Sequence, residues 1–384
     1  MKMNGREYKM QYRKFAKNDH VSILGFGMMR FPNKEDGSID EELLEKMVDY
    51  AYENGVNYFD TAQVYYNDKS EILTGKILSK YPRNSYYVTD KLSIWVVNSL
   101  EELDEFFNNQ LRKLQVDYID YYLLHALNKE YWEKIINMGA MDYIVDKYEK
   151  GIIKNLGFSF HDDYETFEKI IKYRKWDFCQ IQYNYLDTEV QAGDRGYKLA
   201  EELGVELVIM EPNKGGLLCR LPETCVEEFK NINPDASQAN WALRWLWSKT
   251  NCKVVLSGMS DMEQTIDNVN SANLFEPLTE VEQEAVKKVR KAILAAQRNG
   301  CTGCEYCMPC PFGVNIPRNF RIWNMGALTG NYEKEWKRYS QLADADASHC
   351  MQCGSCEAVC PQSLNIISDL ASLHKEITDY INNK

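Results

Sequence analysis

Eight short runs of β-branched and aromatic residues punctuate the first 275 residues, and longer amphipathic stretches separate them. The runs are VSILGF (21–26), VNYFD (56–60), YYVTDK (86–91), YIDYYLLH (118–125), IKNLGFS (153–159), FCQIQY (178–183), VELVIM (205–210) and KVVLSG (253–258). The stretches between them carry helical patterns, such as IDEELLEKMVDYAYENG (39–55) and SLEELDEFFNNQLRKL (99–114). The latter opens with the Ser99/Glu102 S-x-x-E capping signature. Strand–helix alternation implies parallel strands joined by crossover helices. Eight such units in about 250 residues are the content of a (β/α)8 barrel. An open doubly wound sheet is the competitor, but no G-x-G-x-x-G turn follows the first run. Residues 7–16 read as a small hairpin ahead of the first strand. The expected architecture is therefore α/β, a TIM barrel over 1–275 with a second, smaller domain after it.

The pattern changes after 275. Thr279 and Glu282 form another capping signature, and Val286, Val289 and Ile293 line one face of a helix reaching to about 298. We read 276–299 as a connecting helix and 300–384 as a separate domain. That domain holds eight of the twelve cysteines; Cys179, Cys219, Cys225 and Cys252 are scattered through the barrel. The N-terminus has no apolar h-region, and no apolar run approaches the ~18 residues of a membrane span. A cytoplasmic protein with no membrane partner is expected. The net charge of −12 and pI near 5.1 argue against nucleic acid as a partner. In a reducing compartment, clustered cysteines read as metal ligands rather than disulfides. No low-complexity tract or short-period repeat is seen.

The first cysteine run is Cys301-x2-Cys304-x2-Cys307-x2-Cys310-Pro311, and the second is Cys350-x2-Cys353-x2-Cys356-x3-Cys360-Pro361. Two-residue spacings let three thiolates curl round one iron–sulfur cluster. Zinc is the bland alternative, but zinc ribbons separate their CxxC pairs, whereas here four cysteines crowd together twice, each time ending in Cys-Pro. Two [4Fe-4S] clusters are expected.

Three consecutive barrel strands end near a reactive side chain: Asp60, Lys91 and His125, with Tyr65 in the loop after Asp60. Barrel enzymes keep their chemistry at C-terminal strand ends. A tyrosine of ordinary pKa near 10 donates poorly at neutral pH. A nearby Lys91 ammonium is expected to lower that pKa, with Asp60 holding the lysine and His125 orienting a substrate carbonyl. Each residue also has a bland reading. Asp60 caps the next helix, Tyr65 is one of 25 tyrosines, Lys91 is a solvated loop lysine and His125 is a core histidine. Their coincidence at three strand ends favours function.

The stretch FDTAQVYYNDKSEILTGKIL resembles the D-T-A-x-x-Y segment of aldo-keto reductases. VTDKL resembles their strand-three lysine segment, and YIDYYLLHAL their D-x-x-x-L-H segment. GFGMMRFP (25–32), GFSFH (157–161), QIQYN (180–184) and MEPNKGG (210–216) add further likeness over roughly 10–275. With its cysteine tail, the chain resembles the aldo-keto reductases that carry a C-terminal ferredoxin-like domain. The resemblance implies a catalytic tetrad of Asp60, Tyr65, Lys91 and His125, a small-molecule carbonyl substrate and a nicotinamide at the barrel mouth. Ser159 and Gln180 would then contact the carboxamide. Ser257, Gly258 and the helix up to Asn268 would approach the adenosine phosphate, and Lys214, Gly215 and Gly216 a pyrophosphate. Asp261 and Glu263 after strand eight, with no cation beside them in sequence, favour NAD(H) over NADP(H). His161 is a further substrate-side candidate. The two-cluster ferredoxin pattern implies an interleaved pairing, with Cys301, Cys304, Cys307 and Cys360 on one cluster and Cys350, Cys353, Cys356 and Cys310 on the other.

Nicotinamides exchange single electrons poorly, so the clusters raise a question of coupling. They either feed a substrate or a flavin in the barrel, with a ferredoxin or other redox partner behind them, or glue the tail to the barrel. Otherwise the barrel is silent, and the protein is an electron carrier or redox sensor. Trp95, Trp241, Trp245 and Trp247 read as packing residues.

Overall fold

The computed structural model describes residues 2–3, 6–7 and 9–383. It divides into two compact units, 1–212 with 239–278, and 213–238 with 279–384. Among the described residues no helix is long and apolar enough to cross a membrane.

In the first unit, two antiparallel pairs precede the barrel: β1 (Lys2–Met3) with β2 (Arg6–Glu7), and β3 (Tyr12–Phe15) with β4 (Asp19–Ser22). The main hairpin thus lies at 12–22 and not at 7–16. It also takes the first two residues of the run read as strand one, and the barrel strand starts only at Leu24. Eight strands then close a parallel barrel: β5 (Leu24–Gly27), β6 (Tyr58–Asp60), β7 (Tyr87–Leu92), β8 (Ile119–Leu127), β9 (Ile153–Phe160), β10 (Phe178–Gln182), β11 (Glu206–Met210) and β12 (Cys252–Ser257). Phe15 from the hairpin stacks on Tyr121, with ring centroids 4.9 Å apart, and meets Phe178 edge-on. These rings, with Tyr58, Leu123, Val208 and Val254, fill the barrel interior, so it is a packed core and the mouth is left for chemistry.

The helices form where the capping signals place them. Ser99 accepts from Glu102 N at the start of Leu100–Leu114, and the Glu102 carboxylate reaches back to Asn98 N. Thr279 and Glu282 form a reciprocal capping box at the start of Glu280–Ala296. That helix belongs to the second unit and buries Val286, Val289 and Ile293. The segment 213–238, read as part of the barrel, groups with the second unit as well, where its helix Glu223–Lys230 packs on Glu280–Ala296.

The cysteine-bearing part is helical. Ile316–Thr329, Tyr332–Ser340 and Ile366–Asn382 enclose a core of Phe320, Trp323, Trp336, Leu370 and Leu373. Its two halves repeat one another. Cys310-Pro-Phe-Gly-Val-Asn-Ile and Cys360-Pro-Gln-Ser-Leu-Asn-Ile each turn through a left-handed residue, Gly313 or Ser363, whose N–H donates to the cysteine carbonyl. Each then enters a helix at Ile316 or Ile366. The repeat is legible in the sequence, although a scan for short periods passes over it.

Candidate active site and cysteine cavities

The barrel mouth brings together the four residues singled out from three strand ends. Lys91 and Asp60 are buried and paired, with Lys91 Nζ 2.6 Å from Asp60 Oδ1 and 2.7 Å from the Thr61 carbonyl. The same ammonium lies 4.7 Å from the centre of the Tyr65 ring. Tyr65 meets the His125 ring edge-on at 5.8 Å. His125 sits at an irregularity of β8, between Leu124 and Leu127, where Ala126 adopts φ 48°. A bulge of this kind re-aims a side chain at a barrel rim. Ser159 Oγ fixes it by accepting from Ala126 N at 2.7 Å.

The electrostatics correct one expectation. Burial, then the charges of Asp60, Asp90 and Glu211, raise the Tyr65 pKa well above its ordinary value. The phenol is therefore held in its proton-bearing form, opposite to the expected lowering. Burial, with Lys91 and His161 beside it, lowers the His125 pKa well below its ordinary value, so the imidazole is neutral. Its Nδ1 lies 3.1 Å from Ser93 Oγ. His161 is half-buried and neutral as well, pushed down to about 4 by desolvation, with Nδ1 3.2 Å from Gln191 Oε1.

Three residues at the mouth escape sequence reasoning. Trp95, read as packing, stacks on Tyr131 and lies 5.1 Å from the His125 ring. Glu211 follows β11 in a left-handed conformation, φ 56°, and is among the charges acting on Tyr65. Arg30, from the loop after β5, lays its side chain over Gly258, where an added Cβ would meet Arg30 Cδ at 3.4 Å. The signal for Arg30 was present in GFGMMRFP, but only barrel closure brings the first strand beside the last.

Ser159 and Gln180 face each other on neighbouring strands. Gln180 Oε1 is buried without a hydrogen-bond partner, and Ser159 retains a hydroxyl proton, a donor–acceptor pair that suits a carboxamide. Asn268 Nδ2 donates to Ser257 Oγ at 2.8 Å. Asp261 is engaged as the cap of Met262–Asn273, where it accepts from Gln264 N. Lys214, Gly215 and Gly216 all adopt left-handed φ and belong to the second unit. An added Cβ at Gly215 would fall 1.3 Å from the Thr302 carbonyl oxygen, so close backbone packing within that unit requires this glycine.

Behind β7, Asp90 and Glu71 are fully buried together. Asp90 Oδ1 accepts from Lys91 N, while Oδ2 is left with no conventional donor. Glu71 bonds to Lys113 at 2.7 Å and to Gln110 at 3.1 Å. Burial first, then the Glu71 charge, raise the Asp90 pKa well above the carboxylate range, so Asp90 keeps a proton shared with Glu71. A carboxyl whose folded pKa is raised loses stabilisation as pH climbs from its unfolded value, ~3.9, through the folded one. Asp90→Asn keeps the bond from Lys91 N and supplies a permanent donor to Glu71. It is expected to raise the urea midpoint more at pH 9 than at pH 5, and so to flatten the fall of stability with rising pH. Urea unfolding at pH 5 and pH 9 checks this, and an equal or lower midpoint at pH 9 contradicts it.

The eight cysteines line two cavities in the second unit. Cys301, Cys304, Cys307 and Cys360 border one, with Ile316 and Phe320. Cys310, Cys350, Cys353 and Cys356 border the other, which Cys307 also touches. Burial, then the thiols of Cys301, Cys304 and Cys360, push the Cys307 thiol up to about 12. The residues on either side of the second cysteine are left-handed in both runs: Gly303 and Glu305, Gln352 and Gly354. Alternation of this kind turns successive backbone N–H groups toward an anionic centre. Among the described residues, no three of His, Cys, Asp or Glu converge at single-ion distance.

Comparisons with known proteins agree with both halves. The family described as "Aldo/keto reductase family" matches residues 23–291, and the "4Fe-4S dicluster domain" matches residues 300–366. "Probable aldo-keto reductase 1" of Glycine max is 26% identical over 201 residues, 50% of this chain and 56% of the relative. The chain thus spans about half the length of the curated relative it matches. The holo form of aldo-keto reductase AKR11C1 from Bacillus halodurans superposes with a TM-score of 0.61 at 25% identity, over 73% of this chain and 96% of that one. An aldo-keto reductase from Klebsiella pneumoniae in complex with NADPH shares the fold, with a TM-score of 0.59 at 15% identity over 73% and 95% of the two chains.

Proposed function

The chain belongs to the aldo/keto reductase family, and on that premise we propose that its barrel reduces the carbonyl group of a small organic substrate. The observation that carries this reading is the buried Asp60–Lys91 pair set against the ring of a protonated Tyr65, beside a neutral His125. When bound, a nicotinamide supplies the hydride to the carbonyl carbon. The oxygen then gathers negative charge and needs a proton, and the Tyr65 hydroxyl is the donor at hand. With Ser93 on Nδ1, His125 has Nε2 left for the same oxygen, which fixes its position. Loss of the proton leaves a phenolate, and the adjacent Lys91 ammonium, held by Asp60 and the Thr61 carbonyl, stabilises it. Trp95 and His161 would bound the substrate's remaining surface.

The carboxamide end of the nicotinamide would rest on Ser159 and Gln180, whose unpaired buried oxygen supports the fit. The adenosine end would lie by Ser257, Gly258 and Asn268. Asp261 and Glu263 favour NAD(H), while Arg30 introduces a cation near Gly258 that suits a 2′-phosphate. If Arg30 meets that phosphate, Arg30→Ala weakens NADPH by about tenfold, the scale of one charge-assisted bond, and leaves NADH nearly unchanged. Fluorescence titration of the two dinucleotides measures the difference. The clusters carry one electron each, and a hydride two, so the cysteine domain would widen the electron sources of the enzyme to one-electron carriers.

The test is carbonyl-dependent oxidation of NADH and NADPH by the anaerobically purified protein, across a panel of aldehydes and ketones. Turnover with at least one carbonyl supports the reading. No oxidation with any of them, together with turnover from dithionite alone, overturns the nicotinamide assignment.

A further inference from the structure

Two unexplained surface features meet in the cysteine domain. The first is apolar. Phe312, Met351 and Val359 all line the cavity of Cys310, Cys350, Cys353 and Cys356, yet they are 45%, 66% and 48% exposed. Cys353 is itself exposed. Large apolar side chains scattered singly on a surface need no explanation, but three round one redox-competent cavity do. The other cavity has no comparable rim, since of its apolar lining residues Ile316, Phe320 and Ile366 are buried and Leu364 only partly exposed.

The second feature is charge. Arg318 and Arg321 lie one helical turn apart on the exposed side of Ile316–Thr329, and Arg220 and Arg338 add to the repulsion felt at Arg321. Glu335, bonded to Arg338 at 2.7 Å, opposes it. Four arginines set against one carboxylate, on a chain of net charge −12, cost energy unless a further anion answers them. The helix that carries them begins with Ile316, which borders both cavities. Phe312 precedes Arg318 by six residues, so the apolar rim and the arginines are at most ~20 Å apart. A redox encounter burying under ~1,200 Å² in total covers such a span.

We propose that this rim and the adjoining arginines form the docking face for a small acidic one-electron-carrier protein, with the Cys310/Cys350/Cys353/Cys356 cavity as the point of electron entry. This rests on the reading of that cavity as a cluster site. The transfer is balanced, as the carrier loses one electron and the cluster gains one. The arginines steer an acidic partner from a distance, and the apolar rim excludes water where the two centres approach. A second copy of this chain is the less suited occupant, because a two-fold contact through this face would set each arginine patch against its like.

The experiment uses the holoprotein under anaerobic conditions and an acidic two-cluster bacterial ferredoxin as probe, with a basic cytochrome c as control. Binding is measured by biolayer interferometry over a range of salt, alongside iron content. The expected result is ferredoxin binding that weakens steeply with salt, and a further loss of at least tenfold in the Arg318→Glu/Arg321→Glu variant at unchanged iron content. That variant keeps its carbonyl-dependent NADH or NADPH oxidation. Binding indifferent to the charge reversal overturns the proposal, as does equal binding of the cytochrome or a concentration-dependent dimer that the same variant abolishes. Failure of the carbonyl-reduction reading would be recorded separately, as absent nicotinamide oxidation in the unmodified protein.

Discussion

Replacing Cys360 with serine is expected to empty the same cluster site as replacing Cys301, although 59 positions separate the two in sequence. Either variant should fall from about eight irons per chain to about four. The double variant Cys301→Ser/Cys360→Ser should lose no more than either single one, because both residues border one cavity. Cys310→Ser, by contrast, should empty the cavity of Cys350, Cys353 and Cys356, so Cys310→Ser/Cys360→Ser loses both clusters. Iron and labile sulfide analysis on anaerobic protein, with electron paramagnetic resonance of the reduced state, reads these counts. If each run held its own cluster, Cys301 and Cys310 would fall together and Cys360 would stand with Cys350. That pattern would falsify the crossed arrangement.

The second large effect is at Tyr65. Tyr65→Phe removes one hydroxyl and keeps the ring against Lys91 and His125. It is expected to lower kcat for carbonyl reduction by ~10²–10⁴-fold, the range for loss of a positioned general acid, with nicotinamide affinity little changed. Lys91→Met is a poorer probe, because it strands the buried Asp60 carboxylate at a cost of ~3–5 kcal/mol. The pH profile adds an independent check. Tyr65 stays protonated to well above its ordinary pKa of ~10, and His125 stays neutral to well below ~6.5. Activity should therefore be level through neutral pH, with no acid limb near the usual histidine value. A Tyr65→Phe enzyme with unaltered kcat would remove Tyr65 from the chemistry.

Much of this was legible from residues alone, for identifiable reasons. Strand–helix alternation repeated eight times leaves little besides a closed parallel barrel, and cap residues mark helix starts because they satisfy orphan N–H groups locally. The first apolar run was misdivided. VSILGF is continuous in hydrophobicity, and nothing in its period shows that Val21 and Ser22 pair with a hairpin while Leu24 to Gly27 join the barrel. Segment 213–238 was assigned to the barrel by position, yet it folds with the cysteine-bearing unit, and Gly215 packs on Thr302 there.

The sequence by itself determined the barrel and the eight cysteines, and it placed Asp60, Tyr65, Lys91 and His125 near strand ends. Periodicity, spacing and capping act over a few residues, so a chain carries them openly. Tertiary structure alone decided how those residues behave. It set Tyr65 in its protonated form, because desolvation and the nearby carboxylates raise its pKa, where sequence reasoning relied on the lysine charge. It brought Arg30 to Gly258 and Trp95 to His125, since these approaches follow from barrel closure and packing between residues far apart in the chain.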